Sequence, residues 1–217
     1  MTARSYSQVS LYEKCPRQYK LRYIDRFTTD RPKSEAASRG TRIHQPVEDF
    51  MLGNRPDVDE EIQHYQDWFT EIKDGNAQPE LQFCLDEGWE PAEWDSELGH
   101  IRGYIDLLYT EGDEATVYEF KTGRKYPEHE SQMELYSTVV LSLQPEFEKV
   151  TAIALYLDQK DTLEIEYTRD RHGSRKYLWS SRINRISKDQ HFAARPGLHC
   201  RWCDFAKSNS GPCEFGG

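Results

Sequence analysis

Two runs in the middle of the chain, GHIRGYIDLLYT (99–110) and ATVYEFKTG (115–123), alternate apolar and polar residues with a period of two. EGDE joins them, so they read as the two antiparallel strands of a hairpin. In a strand, successive side chains point to opposite faces, and a slip of one residue would reverse both faces. The turn therefore sets the register. Centred between Gly112 and Asp113, it places Asp106 opposite Glu119, with Lys121 two residues further along the same face. Two opposed carboxylates repel, and a divalent cation held by both would remove that repulsion. Hard oxygen ligands, with water completing the shell, are what Mg²⁺ prefers. Lys121 could then orient a water or offset negative charge in a transition state. An ordinary hairpin with a wet polar face has the same spacing, and the pattern alone does not choose between the two.

The rest of the chain switches between helical and extended periods. SYSQVSLYEKCPRQYKLRYI opens with serines suited to capping, and Val9, Tyr12, Tyr19 and Tyr23 recur at helical spacing around a Cys-Pro break. Helices are also predicted through SRGTRIHQPVEDFML, the acidic VDEEIQHYQDWFTEIKD, HESQMELYSTVVLSL and a basic stretch near 170–192. PELQFCLDEGWEPAE starts as a strand and turns at Glu87–Gly88, while KVTAIALYLDQ and DTLEIEYT form a further strand pair. Helices, then a mixed sheet interrupted by one helix, then a helix: this order predicts one α/β (α+β) domain whose ends can form a subdomain.

Charged residues make up 30% of the chain and aromatics 12%, with a mean hydropathy of −0.88. That mixture suits a soluble globular domain. No run approaches the roughly 20 apolar residues of a membrane helix, and MTARSYSQVSLYEKC has no secretion-signal core. The expected setting is a reducing cytoplasm without a membrane partner, where clustered cysteines read as metal ligands before disulfides. The net charge of −10 is unevenly spread. Residues 1–44 and 169–217 each hold ten Lys/Arg against four Asp/Glu, whereas 45–168 hold eight against thirty. Two basic ends flank an acidic centre; they can bind phosphate or simply be solvated helix faces.

His44 lies in a predicted helix with Glu48 one turn on, and Gln132 and Tyr136 form a second i, i+4 pair eleven residues after Lys121. Neutral imidazole is a competent metal ligand, and an amide with a phenol can hold a phosphate or a base. Each has an ordinary structural reading too: a satisfied histidine, a helix boundary with a core tyrosine. Taken in chain order, RGTRIH, GHIRGYIDLLY, VYEFKTG and QMELY resemble the PD-(D/E)xK nuclease superfamily, specifically its RecB-like branch. The opening SYSQVSLYEKCPRQYKLRYI is similar to that branch as well, so the resemblance runs from Ser5 to Cys213. It implies a restriction-endonuclease-like core at 40–192 within a single 1–217 domain, with a mixed central sheet flanked by helices. It makes His44, Asp106, Glu119 and the Phe120 carbonyl ligands of Mg²⁺ or Mn²⁺, and Lys121 the catalytic lysine acting with Glu119 and Asp106. Gln132 and Tyr136 match the element that helps hold DNA. The superfamily's "PD" is Ile105-Asp106 here. Glu80, opening the preceding strand, is a further candidate acid.

Cys200, Cys203 and Cys213 crowd into fourteen residues, an odd set for disulfides and an incomplete one for a tetrahedral metal. The resemblance extends to the superfamily's iron–sulfur members, which include AddB-type helicase–nuclease subunits and small CRISPR-associated and phage RecB-like exonucleases. It supplies Cys15 as the fourth ligand and implies a [4Fe–4S] subdomain built from 1–30 and 193–217. Zn²⁺ satisfies the same count, and His199 is an alternative to Cys213. Cys84, inside an apolar strand, reads as a small buried residue. Joining Cys15 to Cys200 closes 185 residues, and constraining a loop of that length restricts the unfolded chain by about 4–5 kcal/mol. A structural staple is thus the expected role.

The implied activity is a metal-dependent DNA exonuclease acting on single-stranded DNA or duplex ends, in recombination, repair, phage or CRISPR spacer-acquisition settings. RDRHGSRKYLWSSRINRISK, with Arg175 and Arg182, would face the DNA backbone, and Tyr177, Trp179 and Trp202 either stack on bases or pack in the core. The alternatives are a dormant nuclease fold serving as a DNA-binding adaptor, and a zinc-stapled interaction domain.

Overall fold

The computed structural model describes residues 3–29 and 35–216. Ser5 caps the first helix in a reciprocal capping box with Gln8, which satisfies two donors the helix would otherwise leave open. That helix, α1 (Tyr6–Lys14), stops at Cys15; Pro16 starts α2 (Pro16–Tyr19), which runs into a π-helical turn, Lys20–Ile24. Then follow α3 (Glu35–Met51) and α4 (Gln66–Asp74). The acidic segment predicted as one helix is divided. A 3₁₀ turn, Glu60–Tyr65, precedes α4 and breaks at Ile62, whose buried side chain turns toward the same core as Phe69 and Ile72.

Five strands form one sheet in the order β1-β2-β3-β4-β5. They are β1 (Ala77–Leu85), β2 (Ile101–Glu111), β3 (Glu114–Lys121), β4 (Lys149–Tyr156) and β5 (Asp161–Thr168). Neighbours are antiparallel except β3 and β4. That parallel step requires a crossover, and α5 (Glu128–Leu143) supplies it. The chain continues through α6 (His172–Lys188) to the cysteine segment.

Alternation along the strands divides the interior into two cores. Val117 of β3 and Ala152 of β4 pack with Met133, Leu135 and Val139 of α5, Val9 of α1, and Trp179 of α6. Phe120 and Leu155, on the opposite face, pack with Ile43, Val47 and Phe50 of α3 and Phe69 of α4. The hairpin register pairs Leu107 with Tyr118 and Glu111 with Glu114, the register set by a turn between Gly112 and Asp113.

In β1 and β2 the alternation breaks, and it breaks at one level. Ile105 belongs to the first core and Leu107 to the second, although both should face one way; Leu81 and Ala77 differ likewise. The ladder pairs Pro79 with Leu107 and Leu81 with Ile105, so Glu80 and Asp106 occupy the level between. Glu80 has φ +48°, a left-handed conformation costing a non-glycine residue about 1 kcal/mol or more. A kink at this level turns carboxylates out of the regular pleat.

Candidate active site

The kink lies where α3, β2, β3 and α5 approach each other. Asp106 accepts a hydrogen bond from the Phe120 N–H at 2.7 Å through Oδ2, and the same oxygen lies 3.5 Å from His44 Nδ1. His44 also hydrogen-bonds to the Phe120 backbone; burial is the main reason its ring is held below its ordinary pKa. On β3, Glu119 Oε1 accepts from Lys121 Nζ (2.7 Å) and from Gln132 Nε2 (2.9 Å). Gln132 closes the network by accepting from Lys121 at 2.8 Å and donating to the Tyr136 hydroxyl at 3.0 Å. The predicted residues His44, Asp106, Glu119, Phe120, Lys121, Gln132 and Tyr136 therefore meet in one place, from four separate elements.

The electrostatics are those of a site short of positive charge. Burial, and then the Glu119 charge, push the Asp106 carboxyl well above its ordinary range. Burial and Glu119 do the same to the Tyr136 phenol. Glu80 is pushed up to about 7, by burial first and then by Glu48 and Glu119. Lys121 reaches only Oε1 of Glu119; Oε2 is buried with no hydrogen-bond partner among the described residues. A buried carboxylate oxygen without a partner costs free energy, and hard-cation coordination is one way to satisfy it. The residues fit a Mg²⁺- or Mn²⁺-type ion in donor chemistry. Yet among the described residues no three His, Cys, Asp or Glu side chains are placed to hold one ion. The physical reason is visible in the bonds: Asp106 is turned to the Phe120 N–H, and Glu119 to Lys121 and Gln132.

The two chain ends also meet. Cys15, His199, Cys200, Cys203 and Cys213 line one pocket, and all five cysteines of the chain are free thiols. Backbone N–H groups of Arg195 and Gly197 point at the sulfurs of Cys15 and Cys200, each at 3.5 Å. Burial, followed by the other three thiols, raises the Cys203 thiol. The long Cys203–Cys213 interval folds back on itself. A 3₁₀ turn, Lys207–Asn209, and left-handed Ser210 return Cys213 to a bridge with Ala206. The thiols are neighbours, but not a placed ligand cage. His199 Nε2, buried and without a partner among the described residues, keeps it a rival of Cys213. Cys84 is buried in β1, away from this pocket.

The two arginines expected on DNA have internal partners. Arg182 forms a bidentate pair with Glu13 and lies 3.8 Å from the Trp179 ring centroid. Arg175 donates to the Thr168 carbonyl and stacks on Tyr167. Trp179 is fully buried and so belongs to the core, whereas Tyr177 and Trp202 are 75% and 69% exposed. Sequence reasoning passed over His129, Tyr156 and Arg124. The basic, aromatic run GRKYPEH (123–129), beginning two residues after Lys121, was the available signal for Arg124 and His129.

A profile of the PD-(D/E)XK nuclease superfamily matches residues 3–208. The chain belongs to this superfamily. Among solved structures, this nuclease is similar to SSO0001, with a TM-score of 0.53 and 17% identity over 99% of this chain and 87% of that one. It is also similar to a protein from Eubacterium rectale described as "Putative exonuclease", with a TM-score of 0.57 and 14% identity over 95% and 88%. Identities this low show a shared fold alone. A search of curated proteins returns no match. Among the described residues, no helix of this nuclease is long and apolar enough to cross a membrane.

Proposed function

We propose that this nuclease is a metal-dependent exonuclease of the RecB-like kind, acting on single-stranded DNA or DNA ends. One observation carries the reading: buried Glu119 and the largely buried Asp106 lie close together, with Lys121 on one Glu119 oxygen and the other oxygen without a hydrogen-bond partner among the described residues. A divalent ion bound by His44, Asp106, Glu119 and the Phe120 carbonyl would polarise the scissile phosphate and lower the pKa of the attacking water. Lys121 orients the attacking water and offsets charge building on the phosphate. Gln132 holds Lys121 and Glu119 in register, and Tyr136 supports Gln132. Glu80 and Glu48, one turn beyond His44, line the open end of the same cleft and would offer carboxylate ligands to a second ion.

We further propose that Cys15, Cys200, Cys203 and Cys213, which line one pocket at the chain ends, would hold a [4Fe–4S] cluster acting as a staple. Iron, sulfide and a broad visible band in anaerobically prepared protein are expected; one equivalent of zinc in a colourless sample would replace iron in this assignment. For the nuclease activity, single-stranded DNA labelled separately at its 5′ and 3′ ends is incubated with Mn²⁺, Mg²⁺ or EDTA. Cutting should require the ion and vanish in Glu119→Ala and Lys121→Ala, and the order of label release gives the polarity. Cleavage by both variants at the wild-type rate would show that the site is misassigned.

A further inference from the structure

The helix that carries Gln132 and Tyr136 continues its site-facing stripe one turn outward, to His129. Spacings of three and seven residues put His129, Gln132 and Tyr136 on one face of α5. His129 is half-buried at the open end of that stripe. Its Nδ1 lies 2.7 Å from the hydroxyl of Tyr156, and Tyr156 is the β4 residue paired with Lys121 across the parallel ladder. The imidazole is close enough to feel the charges of both Lys121 and Glu119, and burial, then Lys121, hold it below its ordinary pKa. It is therefore the neutral form whose hydrogen bonding matters.

The tautomer follows from the partner. Tyr156 is fully buried, and among the described residues its hydroxyl has one hydrogen-bond partner, the His129 ring nitrogen. A buried phenol hydrogen needs an acceptor, so Tyr156 donates to Nδ1. In neutral imidazole one nitrogen accepts and the other donates. Nε2 consequently carries the proton, and no acceptor for it exists among the described residues. Tyr126, packed edge-on against the ring at 5.7 Å, restricts its rotation. Arg124, exposed two residues before Tyr126, has no ion pair among the described residues. A fixed donor on the site-facing stripe of α5, within reach of the charges of Lys121 and Glu119, matches an anion such as a DNA phosphate.

We propose that His129, held by Tyr156, donates from Nε2 to a phosphate of the bound DNA strand next to the scissile one. This inference rests on the nuclease reading above and adds a substrate-binding residue to it. His129→Ala should raise KM for a labelled oligo-dT by about tenfold or more, the range for a hydrogen bond to a charged group, with kcat within about twofold. His129→Gln should recover most of the loss, because its amide nitrogen can take the place of Nε2. Tyr156→Phe, which releases the tautomer, should give an intermediate KM. Anisotropy of the same oligonucleotide in EDTA should repeat the order in affinity. If wild type does not cut DNA, the nuclease reading falls, and anisotropy still decides this one. Wild-type affinity in His129→Ala overturns the proposal. So does His129→Gln as weak as alanine with an equally lowered Tm, the mark of a purely structural tie between α5 and β4.

Discussion

Arg182 is the clearest test of whether the basic α6 helix serves the fold or the substrate. Its Nε and Nη2 meet the two Glu13 oxygens at 2.8 and 2.6 Å, and Nη1 meets Ser131 Oγ at 2.8 Å. The side chain is 21% exposed and Glu13 29%, so the pair is screened but not fully wet. An ion pair of this kind contributes about 1 kcal/mol, stacking on Trp179 roughly another 1, and the hydroxyl bond about 0.5–1. Arg185, 3.0 Å from Glu13, remains to neutralise it, so no uncompensated charge is left behind. Arg182→Ala should then cost about 2–3 kcal/mol. In a domain of this size that lowers Tm by roughly 4–12 °C. Arg182→Lys keeps the charge but loses the planar fork and should lose about half as much. Thermal unfolding of the three proteins, with equal cofactor loading, measures this. Binding of single-stranded DNA across a salt series provides the contrast. An unchanged Tm together with a salt slope shallower by about 0.7, the loss of one phosphate contact, would refute the argument and return Arg182 to the DNA.

Two further outcomes follow from the same geometry. Glu80 keeps its proton in the folded protein up to about 7, whereas the ordinary value is 4.5. Between those pH values the folded state binds more protons than the unfolded, so stability falls as pH rises. Glu80→Gln, which has no proton to lose, should gain on wild type across that window in urea unfolding with EDTA, then level off; a pH-independent difference would contradict the assignment. Gly211 lies in the loop that returns Cys213, and a Cβ there would fall 2.2 Å from the Phe205 carbonyl carbon. Gly211→Ala must therefore displace this segment; under the proposed cluster assignment it should lower iron content, read by iron analysis beside Cys84→Ser, which should retain it.

Much of the site was written in local pattern. Period-two alternation and a four-residue turn set the hairpin register, and that register places Asp106 at the level of Glu119. Helical spacing likewise paired Gln132 with Tyr136. What local pattern cannot carry is distance between elements: that His44 reaches Asp106 from the opposite face of the sheet, or that Arg182 is held by Glu13, 169 residues away in sequence. A run of basic residues has one appearance whether its charges face solvent or a buried glutamate. Only packing distinguishes them, and packing moved Trp179 to the core and left Tyr177 exposed. The kink at Glu80 is of the same kind. Its left-handed backbone breaks the alternation on two strands at once, and no propensity predicts a strained glutamate in a strand. The chain by itself determined which groups could do chemistry and their order along each strand and helix, because those depend on covalent spacing. The tertiary structure decided which of them share a dry, charge-starved space, because desolvation and mutual repulsion arise only once distant elements close around them.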